Sequence, residues 1–383
     1  MTAGEEPGSG PALGRLVAER TIVVCCGAGG VGKTTTAAVL AAEAAARGRR
    51  AVVVTIDPAR RLADALGLAG LTNDPSLVDW TPGSWGEAAN GRPTDGPGQL
   101  WAMMLDTKGT FDHLVELYSP DPAQAERIKA NRFYRNISGA LSGTQEYMAA
   151  EKLYELHDDT RFDLVVVDTP PTRNALDFLE APARLTRFLD HRLYRALTTP
   201  TRVGLRVVNV AAQAFLRTLS RVVGGDAIAD AISFFRAFDG MEAGFRQRAN
   251  AVAELLRSTE TAYVLVTAPR RDTVEEARYF AHRLEEGGTP AAAVIVNLVH
   301  PDFGPATATA GGRRADRSAA MVELIENRAE LQAVNDAETA VLAPLTAELG
   351  AVPMATVPLL STDVHDLQGL AEIADLLFDR RSP

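Results

Sequence analysis

The stretch that most constrains this chain runs from Thr21 to Thr36, TIVVCCGAGGVGKTTT. A β-branched apolar run, Thr21 to Cys26, ends in Gly27-Ala28-Gly29-Gly30-Val31-Gly32-Lys33-Thr34, and an alanine-rich helical pattern, Thr35 to Arg47, follows at once. Strand, glycine loop and helix in that order give the G-x-x-x-x-G-K-[ST] spacing the context it needs. With no Cβ at Gly27, Gly29, Gly30 and Gly32, backbone N–H groups can turn inward as an anion nest. The helix N-terminus adds its positive end. Lys33 is then the candidate point charge for β- and γ-phosphates, the Thr34 hydroxyl the candidate Mg²⁺ ligand, and Gly27 to Thr35 the cradle. The pattern predicts a nucleotide site.

The 383 residues suffice for one large α/β domain, or for a core domain with a helical insert. A net charge of −10 and a pI near 5.2 argue against nucleic acid as a partner of the whole chain. The opening MTAGEEPGSGPALG is polar and acidic and reads as a disordered lead over 1–18, not as a targeting signal. No window approaches the roughly 18 uncharged apolar residues of a membrane span. Cys25 and Cys26 are adjacent on the first strand, as buried thiols rather than a disulfide or a metal pair. The expectation is a soluble cytoplasmic enzyme.

Along the chain, residues 50–57 read as a second buried strand that ends at Asp57 and breaks at Pro58. Residues 69–98, rich in Gly, Pro, Asn and Asp, read as loop with room for short strands. Residues 100–106 suit a strand, and residues 107–157 carry a helical pattern. The apolar run Leu164 to Val167 ends in Asp168, followed by Thr169-Pro170-Pro171. A long helical stretch, 176–258, precedes a strand over 261–268, a helix over 272–286 and a strand over 291–299. Small residues fill 302–318; then come a helix over 319–348, a strand over 351–357 and a last helix over 367–379. Continuous apolar strands alternating with helices predict a mainly parallel, doubly wound α/β sheet covered on both faces. Right-handed crossovers then bring Gly27–Thr34, Asp57–Pro58, Asp168–Pro171 and Asn297–Pro301 to one sheet edge.

These four clusters make the chain resemble the ArsA/GET family, the arsenite-pump and tail-anchored-protein-targeting ATPases, from about Arg20 to Leu377. GAGGVGKTTT, IDPARRLADALG, MMLDTKGTFDHLV, SGTQEYMAAEKL, VVVDTPPTRNALDFL, VIVNLVHP and VPLLSTDVHDLQGL carry the likeness. The resemblance implies a P-loop NTPase fold with a deviant Walker A loop, an inserted helical subdomain over 176–258 within a 19–383 domain, ATP and Mg²⁺ as ligands, and a dimer. Asp57 matches the switch I aspartate that activates the attacking water; the same residue also suits a helix N-cap before Pro58. Asp168 matches the switch II aspartate that holds Mg²⁺, usually through water, and Thr169-Pro170-Pro171-Thr172 resembles the turn that relays γ-phosphate state. Asn297 resembles the adenine-reading asparagine, with an ordinary turn residue as the alternative, and Pro358 and Leu359 resemble the loop packing on adenine.

One position departs from that pattern. Where the family has its signature lysine, which reaches across the dimer to the partner's nucleotide, this chain has Ala28. Two consequences are open: a different subunit supplies the charge, or hydrolysis is weak and the chain is an ATP-dependent switch. Similarity to actinobacterial-type members, which pair unlike subunits, favours a heterodimer with an ArsA-like paralogue over a homodimer. Arg60 and Arg61 in switch I are candidates for replacing the charge or for facing solvent. There is no C-x-x-C for a bridging zinc and no cysteine trio for arsenite.

Within the insert, Leu205, Val208, Ala211, Phe215, Leu219 and Val222 recur at helical spacing, and Ile232, Phe235 and Phe238 form a second apolar set. From Ala181 to Arg221 there are eight arginines (Arg184, Arg187, Arg192, Arg195, Arg202, Arg206, Arg217, Arg221) against one acid, Asp190. Such a segment suits an anionic membrane surface or an acidic partner, or packs as core helices with arginines reaching water. Only Met241 supplies methionine there, which weakens a client-groove reading.

The expectation is therefore an ATP-hydrolysing, nucleotide-switched dimer that handles a protein or membrane partner, cytoplasmic and able to lie at the membrane periphery. The alternative is a regulatory ATP-binding subunit paired with a paralogue. A partition or division-positioning ATPase shares the glycine loop but lacks the IDPARRLADALG and VIVNLVHP blocks.

Overall fold

The computed structural model describes residues 9–56, 61–79, 98–137, 144–170, 177–190, 230, 233, 234, 237, 238, 240–304 and 319–379. The chain divides into two compact units. Met1–Met103, Thr160–Ala175 and Thr259–Pro383 carry the sheet, while Met104–Asp159 and Leu176–Ser258 form a helical unit. The helical unit thus draws on two stretches of sequence, one on either side of the strand that ends at Asp168.

The sheet strands are β1 (Ile22–Cys26), β2 (Arg50–Thr55), β3 (Ser76–Leu77), β4 (Gln99–Met104), β5 (Leu164–Asp168), β6 (Thr261–Thr267), β7 (Ala293–Val299) and β8 (Met354–Pro358). Their spatial order is β3-β4-β2-β5-β1-β6-β7-β8. Parallel pairing joins β2 to β5, β5 to β1, β1 to β6, β6 to β7 and β7 to β8; β3 and β4 pair antiparallel. The fold class is α/β, with the mainly parallel sheet that uninterrupted valine-rich strands require. β1 lies between β5 and β6 and is buried throughout. Strands left of it return through β2 and strands right of it continue to β8, so the order reverses beside β1, where open α/β sheets bind ligands at the strand C-terminal ends.

Helices α1 (Ser9–Glu19), α2 (Lys33–Ala46) and the C-terminal helix Leu367–Leu377 share one core cluster with the strand residues Val23, Cys25, Val53, Val166 and Val264. A short helix α3 (Arg61–Ala65) joins α2. α1 corrects the expectation of a disordered lead over 1–18. From Ser9 that lead is helical, because Leu13, Leu16 and Val17 recur at helical spacing and bury themselves in the cluster. Element boundaries also differ from the sequence reading: among others, α2 starts at Lys33, β2 ends at Thr55, β7 starts at Ala293, β8 starts at Met354 and the last helix ends at Leu377.

The helical unit holds α4 (Thr107–Tyr118), α5 (Pro122–Ala130), α6 (Arg132–Ile137), α7 (Thr144–Asp158), α8 (Asp177–Asp190) and α9 (Glu242–Arg257). Asp106 and Asp121 cap α4 and α5 by accepting from Lys108 N and Gln124 N. Its core is a run of aromatic contacts: Tyr134 to Phe234 at 5.9 Å, Phe234 to Phe238 at 5.1 Å and Phe238 to Phe245 at 5.0 Å between centroids. Phe238 of the second predicted apolar set is buried here, while Ile232 and Phe235 lie outside the described residues. So do residues 191–229, which include the first apolar set and all the arginines of the basic segment except Arg184 and Arg187. Arg248 of α9 donates to Glu151 of α7 at 2.6 Å, and its guanidinium lies 4.0 Å from the Tyr154 ring centroid.

The sheet unit is completed by α10 (Arg271–Glu286), α11 (Ala319–Leu349) and α12, the Leu367–Leu377 helix. The segment after β7 is fastened to α11: His300 N donates to Glu338 Oε2 at 2.8 Å and Asn335 Nδ2 to the His300 carbonyl at 2.6 Å. Among the described residues no helix is long and apolar enough to cross a membrane.

Candidate functional site

A cavity of about 690 Å³ opens in the sheet unit at the C-terminal ends of β1, β5, β7 and β8. Gly29, Gly30, Gly32, Lys33, Thr34 and Thr35 form its phosphate-loop wall. The loop leaves β1 through Gly27, at φ 154°, where a Cβ would stand 2.0 Å from the Val266 carbonyl oxygen. It enters α2 through Gly32, at φ 89°, where a Cβ would stand 2.2 Å from Asn297 Nδ2. Glycine at both positions is a steric requirement as much as a conformational one. Ala28 and Val31 do not line the cavity; both are buried in the core cluster.

Lys33 Nζ donates to the Ala28 carbonyl at 2.7 Å, so the lysine arches back over its own loop. Burial lowers its pKa from the usual lysine range, and the charge of Asp168 opposes that shift. The same burial raises the thiols of Cys25 and Cys26, the latter to about 12, which keeps both neutral.

Asp168 ends β5 and is 1% exposed. Its Oδ2 accepts from Thr34 Oγ1 at 2.7 Å and from Thr55 Oγ1 at 3.0 Å. Next to it, Thr169 Oγ1 donates to the Cys25 carbonyl at 2.7 Å, which fastens the start of the following segment to β1. A hydroxyl and a carboxylate in direct contact beside the phosphate loop are hard oxygen donors of the kind Mg²⁺ takes together with substrate phosphates. Among the described residues no group of three or more His, Cys, Asp or Glu forms a metal cage, which a phosphate-bound Mg²⁺ does not need.

The far wall comes from β7 and β8. Asn297 is 9% exposed, donates through Nδ2 to the Val31 carbonyl at 3.0 Å and accepts from Leu298 N through Oδ1 at 2.9 Å. Leu298 follows in the left-handed region, at φ 64°, where the β7–β8 ladder shifts register between Val296 and Val299. That bulge turns Asn297 and Leu298 towards the cavity before pairing resumes at Pro358 and Leu359 N donates to the Val299 carbonyl at 2.8 Å. Pro358 and Leu359 line this wall, and Leu359 is 44% exposed.

Of the residues singled out from sequence, Gly29, Gly30, Gly32, Lys33, Thr34, Thr35, Asp168, Asn297, Pro358 and Leu359 thus surround one cavity. Asp57, Arg60, Pro171 and Thr172 lie outside the described residues. Arg61 lines the cavity and is exposed. Sequence reasoning missed Thr55, Leu298 and the Thr362–His365 part of the rim. A hydroxyl closing the valine run of β2 was at most a weak signal for Thr55, since threonine is also an ordinary strand former; the backbone of Leu298 left none.

The profile of the family described as Anion-transporting ATPase matches residues 20–379. "ATPase asna-1" of Caenorhabditis elegans is 28% identical over 147 residues, 36% of this chain and 38% of that protein. "ATPase ASNA1 homolog" of Babesia bovis is 30% identical over 145 residues, 37% of this chain and 33% of its own. "ATPase get3" of Aspergillus terreus is 29% identical over 144 residues, 37% of each chain. The alignments span 33–38% of the length of these relatives. The family profile, by contrast, runs from the residues just before β1 to the end of α12, and with it the phosphate loop, Asp168 and Asn297: the chain belongs to the ArsA-type anion-transporting ATPase family.

Proposed function

We propose that this chain is a Mg²⁺-dependent ATPase whose nucleotide state switches a dimer that handles a protein or membrane partner. The observation that carries the reading is the 2.7 Å contact of Thr34 Oγ1 with Asp168 Oδ2 beside the phosphate loop and Lys33. In this reading Gly27 to Thr35 receive the phosphates, and Lys33 leaves the Ala28 carbonyl to neutralise them. Thr34 and Asp168 hold Mg²⁺, which supplies charge neutralisation on the phosphate oxygens when bound. Asn297 presents its remaining amide hydrogen to the base, with Pro358 and Leu359 covering the ring. Asp57, two residues beyond the end of β2 in sequence, polarises the attacking water.

Ala28 favours a second reading, a regulatory subunit with little turnover of its own whose ATP occupancy gates assembly with a paralogue. Its methyl group is buried with the core cluster, so this position offers no charge to a neighbouring nucleotide. A cytoplasmic setting belongs to either reading, and the arginines between 184 and 221 are the candidate contact with an anionic membrane or acidic client.

ATP turnover by the purified protein, with Asp57→Asn and Ala28→Lys beside it, alone and with any co-purifying paralogue, separates these readings. Turnover alone that Asp57→Asn abolishes identifies an autonomous enzyme. Turnover only with the paralogue, or only in Ala28→Lys, identifies one half of a heteromeric switch. No ATP binding in any of these preparations overturns both.

A further inference from the structure

The carboxylate at the end of β5 is gripped from the first turn of α2 and from the end of β2. β2 and β5 run parallel with Thr55 in register with Asp168, and Thr55 is 1% exposed. Its strand is otherwise valine and alanine after Arg50, so its hydroxyl sits in an apolar layer where an unsatisfied donor is costly. It meets that requirement on Asp168 Oδ2, at 3.0 Å, the same oxygen that Thr34 reaches at 2.7 Å. Two hydroxyl donors on one oxygen hold the carboxylate in one orientation. Thr34 spends its single hydrogen on Asp168, which leaves its oxygen lone pairs directed elsewhere.

We propose that Thr55 is a positioning residue: through Oδ2 it holds Asp168, and by way of Asp168 the Thr34 hydroxyl, in the orientation that receives the divalent cation. The inference rests on the Mg²⁺-nucleotide reading of the cavity. Thr55 touches neither nucleotide nor metal in it. Outer partners of this kind typically set metal affinity by 10- to 100-fold. Ile56 N also donates to the Asp168 carbonyl, at 3.2 Å, so the residue after Thr55 is joined to the end of β5 as well.

The test is a titration of a fluorescent ATP analogue at rising Mg²⁺, with Mn²⁺ binding followed in parallel by electron paramagnetic resonance. Wild type, Thr55→Val and Thr55→Ser are compared, since valine keeps the shape and serine keeps the hydroxyl. Thr55→Val is expected to need roughly 10 to 100 times more Mg²⁺ for half-saturation, with analogue binding in chelator unchanged, while Thr55→Ser stays near wild type. Equal Mg²⁺ requirement in wild type and Thr55→Val overturns the proposal, as does an equal shift in Thr55→Val and Thr55→Ser, which marks packing. If wild type itself binds the analogue no better with Mg²⁺, the reading of the cavity fails and this inference with it. Should Thr55→Val not fold, Thr55→Ala against Thr55→Ser carries the same comparison.

Discussion

Asn297 and Val31, 266 residues apart, are joined by a 3.0 Å hydrogen bond from the Asn297 amide to the Val31 carbonyl. The end of β7 and the phosphate loop are therefore one piece, and the side chain proposed to read a base also braces the loop proposed to hold its phosphates.

Asn297→Ala removes that brace and leaves both the Val31 carbonyl and Leu298 N–H without it. A stability loss of about 1–3 kcal/mol is expected, measured by urea unfolding. ATP affinity, measured by titration calorimetry, is expected to fall with it.

Gly32→Ala forces a Cβ to within 2.2 Å of Asn297 Nδ2 and puts alanine at φ 89°. The variant is expected to lose roughly 1–3 kcal/mol of stability from backbone strain alone and to bind no measurable nucleotide. Retained wild-type affinity would show that the loop re-forms around the extra atom.

Lys33→Met keeps an unbranched side chain one atom shorter and removes an ammonium that burial disfavours. The nucleotide-free variant is expected to melt at or above the wild-type temperature. Excess Mg²⁺-ATP, which stabilises wild type by about 2.7 kcal/mol at a hundredfold of its Kd, is expected to leave the variant unmoved in differential scanning fluorimetry.

In the helical unit, burial raises Glu151 above its ordinary value of 4.5, against the pull of Arg248. A carboxyl whose folded pKa is raised binds its proton more tightly in the fold than in the unfolded chain. Its stability contribution is complete below pH 4.5 and is lost as pH rises through the higher folded value. The urea midpoint of wild type minus that of Glu151→Gln should therefore fall as pH rises from 4 to 7, by about the same margin in high salt because the pair is largely buried. Arg248→Met, which strands the carboxylate, is expected to cost about 3–5 kcal/mol at pH 7.

Much of the site is legible in the amino-acid pattern because apolar strands there end abruptly in polar residues. β5 closes on Asp168 and β1 on Gly27, and β7 carries Asn297 near its end, so a parallel sheet gathers them on one edge. Thr55 escapes notice because threonine is also an ordinary strand former, and only the β2–β5 register reveals its partner. Leu298 escapes because a left-handed leucine has no compositional mark; it is held there by the Asn297 side chain and a shifted ladder. α1 escapes because acidic and glycine residues precede the spacing of Leu13, Leu16 and Val17.

β1 is buried at every residue and paired on both edges, and the phosphate loop is its direct continuation. Amides of such a strand exchange with solvent only when the whole unit opens, whereas the rim at Leu359 to His365 is exposed enough to open alone. If the cavity holds a nucleotide as proposed, it is thus graded in time: its phosphate end continues directly from the most protected strand, while its base end is free to open and close around each nucleotide.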